Sequence, residues 1–223
     1  MRFAFPWISF VLVKTKSRKM KKTCIVFLSL ALVLGACSTN VQQPKPVERQ
    51  LYIDVHNLEP GKVTAADVAG AHQKDLATQD KFGVSFLSYW VDEMKGKVYC
   101  LSESPNDSAI YKTHQQAHGL VPDLIELVTS GTAAAAQSHG SLFLDVHHLG
   151  AGNVTAKAVA DAHVKDLAVQ GKYDVNLINY WVDEKSGVVM CLAEAPDSAA
   201  MVNTHKEAHG LIPDEVHLVK QGN

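Results

Sequence analysis

"SYWVDEMKGKVYCLSESP" occupies residues 88–105, and "NYWVDEKSGVVMCLAEAP" occupies residues 179–196. Each reads as two runs rich in aromatic and β-branched residues around a short turn, "DEMKG" or "DEKSG", which is the pattern of a β-hairpin. The offset between the two is 91 residues, and it holds without a gap from Leu51 to Ser130. Thus "LYIDVHNL" at 51–58 returns as "LFLDVHHL" at 142–149, and "THQQAHGL" at 113–120 returns as "THKEAHGL" at 204–211. Roughly half of the paired positions are identical, so the chain carries an internal duplication. One copy covers 51–130 and the other 142–223. The small, polar stretch "SGTAAAAQSHG" separates them and gives a linker over 131–141.

Working outward from the hairpin, each copy reads β-α-β-β-α-β. Leu51–Leu58 alternates apolar and polar residues, as a half-buried strand does. A helix starts after Val63, with Thr64 as its N-cap and Asp67 at N3. Val84–Asp92 and Lys97–Glu103 form the hairpin. Pro105 fits the first turn of a second helix. Gly119 stops that helix, and Pro122–Val128 is the last strand. This order is the split βαβ unit, so the expected fold is α+β, with two tandem ferredoxin-like (βαββαβ) domains. Its helices cover one sheet face and leave the other bare, which a domain of about 80 residues cannot keep in water. Trp90 and Phe86, with Trp181 and Leu177 in the second copy, are expected on that bare face. Pairing the two bare faces within one chain makes a monomeric, intramolecular pseudo-dimer.

The charge is unevenly spread. Residues 1–36 hold seven Lys and Arg and no acid, which leaves 14 bases against all 23 acids beyond them, a net charge of -9. An acidic body disfavours nucleic acid as a partner and suits a cation. "MKKTCIVFLSLALVLGAC" (20–37) has two lysines, an apolar run from Ile25 to Leu34, and small residues before a cysteine. It reads as a signal peptide over 1–36 with its true start at Met20. "LGAC" (34–37) resembles the lipobox of bacterial lipoproteins, which implies cleavage before Cys37, acylation of its thiol and a lipidated tether over 37–50. The expected place is the cell envelope, on a membrane through the N-terminal lipid. With Ser38 following, that would be the outer membrane facing the periplasm in a Gram-negative host. Of four cysteines only Cys100 and Cys191 then remain in the folded body, too few for a disulfide framework.

Eleven histidines are many for this length, and four per copy are equivalent: His56/His147, His72/His163, His114/His205 and His118/His209. His139, His148 and His217 have no equivalent and are set aside as incidental. His114 and His118 are four apart on a helix, so both imidazoles lie on one face and can reach one metal ion. The glutamate of a zinc-protease helix is absent, since Gln115 and Lys206 stand there. In a split βαβ unit both helices run the same way on one sheet face. His72 and Asp75 are therefore expected beside His114 and His118, as are His163 and Asp166 beside His205 and His209. Such nitrogen-rich sets suit Ni, Cu, Zn or Co. Asp54 and His56, with His147 in the second copy, are expected on the opposite face, as a separate metal site between the sheets. Cys100 is a weaker candidate. Imidazoles bind metal when neutral, so affinity is expected to fall below about pH 6.5.

The pattern D-V-H, A-H-x-K-D-L, Y-W-V-D-E, C-L-x-E-x-P, T-H-x-x-A-H-G-L resembles a family of small ferredoxin-fold bacterial proteins of unknown function that includes a nickel-binding member. It covers about 160 residues. The resemblance implies paired ferredoxin-like domains and a role in binding, sequestering or detoxifying nickel. Family members are commonly single domains that dimerise, whereas this chain fuses two and adds an anchor. The leading expectation is an envelope lipoprotein that buffers a divalent transition metal, nickel foremost, and catalyses nothing. One alternative is a small-molecule or catalytic cleft between the sheets using Asp54, His56, Tyr89, Cys100 and Glu103. Another is a structural lipoprotein whose histidines are buried for stability.

Overall fold

Ile53 and Val55 alternate with Tyr52, Asp54 and His56 along the first strand, and this alternation sorts the whole molecule into an inside and an outside. The computed structural model describes residues 48–132, 135–136 and 140–223. The expected signal segment 1–36 with Met20, the expected acylation site Cys37, most of the expected tether 37–50 and His139 lie outside the described residues. The first repeat contains strands β1 (Gln50–Asn57), β2 (Ser85–Asp92), β3 (Lys97–Ser104) and β4 (Leu124–Leu127), with helices α1 (Ala65–Thr78) and α2 (Asp107–Ala117). A short strand β5 (Thr129–Thr132) follows. The second repeat contains β6 (Ser141–His148), β7 (Asn176–Asp183), β8 (Val188–Ala195) and β9 (Glu215–Gly222), with α3 (Ala156–Val169) and α4 (Ser198–Ala208).

The helix ends follow local chemistry. Thr64 and Asp67 form a reciprocal capping box on α1, and Asn106, Thr155 and Asp197 cap the other three. Pro105 stands just before the cap of α2 rather than in its first turn, because the Asn106 side chain accepts from the Ala109 N–H. Gly119 and Gly210 follow the ends of α2 and α4 with φ of 83° and 81°, a conformation glycine adopts without steric cost.

The strands run in the order β4-β1-β3-β2-β9-β6-β8-β7-β5. Since β4 and β5 are separated by a single residue, this order closes on itself as a barrel. The closure comes from crossing strands. Glu215–Val219 of β9 pairs with β6 of its own repeat, and Lys220–Gly222 continues onto β2 of the other. Likewise β4 pairs with β1, and β5 pairs with β7 of the second repeat. Residues 131 and 132, expected in the linker, are therefore sheet, as is Ser141 at the start of β6. Closing the barrel removes the free edges that a four-stranded sheet would expose.

The barrel interior is one apolar cluster drawn from both repeats. It holds Ile53, Val55, Trp90, Tyr99 and Leu101 with Leu144, Val146, Trp181, Met190 and Leu192. The Trp90 and Trp181 rings meet at 5.0 Å. The pseudo-dimer is thus real, but Phe86 and Leu177 are not in its interior. A bulge between Phe86 and Ser88, repeated between Leu177 and Asn179, inserts one extra residue. The extra residue reverses the alternation. Phe86 and Leu177 therefore join the cores under the helices, whereas Trp90 and Trp181 face inward.

Candidate metal centre

β1 presents Ile53 and Val55 to the dry interior, and so must present Asp54 and His56 to the helices. The expected site between the sheets does not form: Asp54 and His56, like Asp145 and His147, lie on the helix side. Polar groups turned inward would have met only the shared apolar cluster, with no partners. Turned outward, they meet α2 and α4. Here they lie beside the clusters foreseen from the helix spacing, on the same face of the sheet and linked to them through His114 and His205.

His114 is its centre. Its ring Nδ1 lies 3.0 Å from Asp75 Oδ1 of α1, and its Nε2 lies 3.4 Å from Asp54. His118 Nε2 lies 3.2 Å from Asp75 and 3.3 Å from His114 Nδ1. His56 Nε2 lies 3.1 Å from Asp54 Oδ1. The second repeat matches: His205 Nδ1 is 3.1 Å from Asp166 and Nε2 is 2.9 Å from Asp145, while His209 Nε2 is 3.1 Å from Asp166. All of these residues are buried except His118 and His209, which are half-buried. In each repeat the ligand atoms of Asp75, His114 and His118, or of Asp166, His205 and His209, lie within 4.8 Å of one another.

His72 and His163 stand beside this set rather than within it. Their rings pack on Tyr89 at 4.8 Å and Tyr180 at 4.6 Å, and each leaves a buried Nε2 without a hydrogen bond. They line the same small cavities as the clusters, of about 90 Å³ in the first repeat and about 130 Å³ in the second. The alternative cleft is filled by the interior cluster, and Glu103 is exposed at the far end of β3, so that acid-base set does not assemble.

The charges follow from these contacts. Burial disfavours an imidazolium at His114 and His205, but the two flanking carboxylates that accept from their ring nitrogens overcome this and raise both pKa values to about 10. Burial also works against the Asp54, Asp75 and Asp145 carboxylates, yet their histidine partners hold all three below the usual range, Asp145 at about 2. Burial lowers His72, His163 and His209. Burial, then the nearby carboxylates, push the Cys100 and Cys191 thiols well up. His118 Nδ1 accepts the Leu120 N–H at 3.1 Å, and His209 Nδ1 accepts the Leu211 N–H at 3.2 Å. With Nδ1 accepting, a ring with a single proton carries it on Nε2, toward Asp75 or Asp166. Without metal, each cluster is a set of carboxylates bridged by protonated nitrogens. Protons thus compete with a metal well above pH 6.5, further than free imidazole chemistry implies.

One buried histidine escaped the sequence reading. His217, set aside because no histidine is its equivalent, is fully buried where β9 crosses between repeats. Its Nδ1 lies 3.0 Å from Asp92 of the first repeat and its Nε2 3.0 Å from Glu215. The available signal was Glu126 at the equivalent place: a polar residue in the last strand of both copies, facing Asp183 in the second junction.

A family model described as "Nickel responsive protein SCO4226-like" matches residues 52–128 and 143–219. The crystal structure of SCO4226 from Streptomyces coelicolor A3(2) is similar at 36% sequence identity, covering 34% of this chain and 93% of that one, with a TM-score of 0.33. The putative chlorite dismutase TA0507 is 11% identical, covering 78% of this chain and 95% of that one, with a TM-score of 0.42. A mutant chlorite dismutase from Candidatus Nitrospira defluvii is 6% identical, covering 78% and 91%, with a TM-score of 0.47. No curated protein matches the chain.

Proposed function

Because the chain belongs to the SCO4226-like family of nickel responsive proteins, we propose that each repeat binds one divalent transition ion between its two helices. The ligands are Asp75, His114 and His118 in the first repeat, and Asp166, His205 and His209 in the second. His72 and His163 at the cavity wall are the reserve fourth donors. Nickel is the leading cargo, and Zn, Cu and Co share the preference for imidazole nitrogen. The observation that carries this reading is Asp75 Oδ1. It is buried between two imidazole nitrogens at 3.0 and 3.2 Å and has no hydrogen bond of its own, while His118 Nε2 serves Asp75 Oδ2. A buried carboxylate oxygen left without a proton between two ring nitrogens is placed as a ligand is.

Capture exchanges protons for the ion. His114 gives up its Nδ1 proton and keeps Nε2–H on Asp54, the outer carboxylate that fixes ring orientation in many metal sites. The proton on the neutral His118 ring moves from Nε2 to Nδ1, which frees Nε2 for the ion and ends the bond that Nδ1 accepts from the Leu120 N–H. The protein acts as a metal buffer, and no catalytic step is part of this reading. Its place is the cell envelope, with acylated Cys37 as the anchor.

The test is calorimetric titration of the full chain with Ni, Zn, Cu and Co after chelator treatment. Metal uptake that drops by one ion per repeat in the His118→Ala/His209→Ala variant is the expected result. No uptake tighter than about 1 mM, roughly 4 kcal/mol, would leave the clusters as buried ion networks that serve stability alone. For the anchor, labelling with palmitate should disappear in Cys37→Ala, and persistent labelling would reject that acylation site.

A further inference from the structure

We propose a second, deeper metal position in each repeat, held by Asp54, His56 and Cys100 in the first and by Asp145, His147 and Cys191 in the second. It extends the reading that these repeats take up metal, but it uses a different donor set, one that includes sulfur.

The register of the sheet builds it. Asp54 lies directly opposite Cys100 on β3, and Asp145 directly opposite Cys191 on β8. His56 and His147 follow two residues along, on the same face. The ligand atoms of carboxylate, imidazole and thiol lie within 4.8 Å of one another in each repeat, and His205 joins the second set. These six residues are all buried, with Asp54 and Asp145 at 0% exposure.

A second observation points to a ligand. Asp54 Oδ1 and Asp145 Oδ1 are sealed from water with no hydrogen bond, although His56 Nε2 approaches to 3.1 Å and His147 Nε2 to 3.5 Å. A buried carboxylate oxygen left short of hydrogen is costly, and here the same cost appears twice. A cysteine that merely packed would need no carboxylate opposite it. An ion that replaces the thiol proton satisfies sulfur, oxygen and nitrogen together.

The position is also reachable. His56 and Cys100 line the same cavity as Asp75, His114 and His118, and His147 and Cys191 line that of Asp166, His205 and His209. His114 stands between the two positions, with Nδ1 toward Asp75 and Nε2 toward Asp54. A mixed nitrogen, oxygen and sulfur set selects Zn2+, Ni2+ or Co2+ over hard ions such as Mg2+. No electron is transferred: the ion keeps its charge, and the thiol proton leaves to solvent.

The test uses the full chain with Cys24→Ser and Cys37→Ser, so that Cys100 and Cys191 are the remaining thiols. On Co2+ titration, a thiolate-to-cobalt charge-transfer band is expected in the near ultraviolet, with two ions bound per repeat. Adding Cys100→Ser/Cys191→Ser should abolish the band and halve the uptake, while His118→Ala/His209→Ala should keep the band. X-ray absorption of the zinc-loaded chain, which needs no change at Cys100, should show sulfur at about 2.3 Å, so a poorly folding serine variant does not blunt the test. Uptake of one ion per repeat with no band and no sulfur neighbour overturns the deeper position and leaves the outer one standing. A band with uptake indifferent to His118→Ala/His209→Ala overturns the outer position instead. No uptake overturns both.

Discussion

His114 carries a proton on each ring nitrogen because each faces a carboxylate, and one of those protons must leave before a metal enters. Metal uptake should therefore release at least one proton per repeat at neutral pH. The measurement is calorimetry in buffers of different ionisation enthalpy, where the observed heat should vary with the buffer; a constant heat contradicts the proton exchange. The same residues set how the metal-free chain responds to pH. The folded pKa of His205 is raised from 6.5 to about 10, so its stabilising contribution is complete below 6.5 and disappears as pH climbs through 10. That of Asp145 is lowered from 3.8 to about 2, so its contribution is complete above 3.8 and disappears as pH falls through 2. His114 acts in the same direction as His205. From these groups, urea midpoints of the metal-free chain should fall as pH climbs from 6.5 toward 10 and again as it drops from 3.8 toward 2. A midpoint that rises above neutral pH would contradict a buried imidazolium.

The elements that most shape the molecule are the crossing strands and the bulged ones. Gly222 of β9 lies over Tyr89, and Gly131 of β5 lies over Tyr180; a Cβ there would sit 2.2 and 2.1 Å from the tyrosine ring carbons. Each crossing thus depends on a residue without a side chain, and the tyrosine it admits packs in turn on His72 or His163. Gly222→Ala should push Tyr89 into that histidine and destabilise the fold by about 1–3 kcal/mol, the usual scale of overpacking. It would be read as a lower urea midpoint at unchanged slope. An unchanged midpoint would mean that the ring moves away freely. The bulges matter for the site as well as the core, because they place Phe86 against the His114 ring at 5.0 Å.

At the scale of the molecule, one interior is shared by two repeats, while each proposed metal cluster is built from one repeat alone. These two facts predict opposite couplings. Unfolding should be a single transition, with tryptophan fluorescence and far-ultraviolet dichroism coincident. Trp90→Ala should lower stability by about 3–5 kcal/mol for both repeats together, and two separated transitions would refute the common core. Metal uptake should be modular: His118→Ala alone should remove the first repeat's outer ion and leave the second repeat's affinity unchanged. A coupled loss in both would show that the barrel transmits occupancy between them.

Much of this was legible in the chain itself. The duplication, the order of elements, the capping of α1 by Thr64 and the pairing of His114 with His118 all rest on short-range spacing. Spacing of that kind is written directly in residue order. What residue order left open is which face of a strand turns inward. Tyr52, Asp54 and His56 share a face by parity, but parity does not say what that face meets. The choice was made when Ile53 and Val55 found apolar partners from the second repeat, which drove Asp54 to His114. The bulge beside Leu87, the passage of β5 and β9 between repeats and the burial of His217 belong to the same class. Each depends on contacts between residues distant in the chain, and only closure of the barrel brings those residues together.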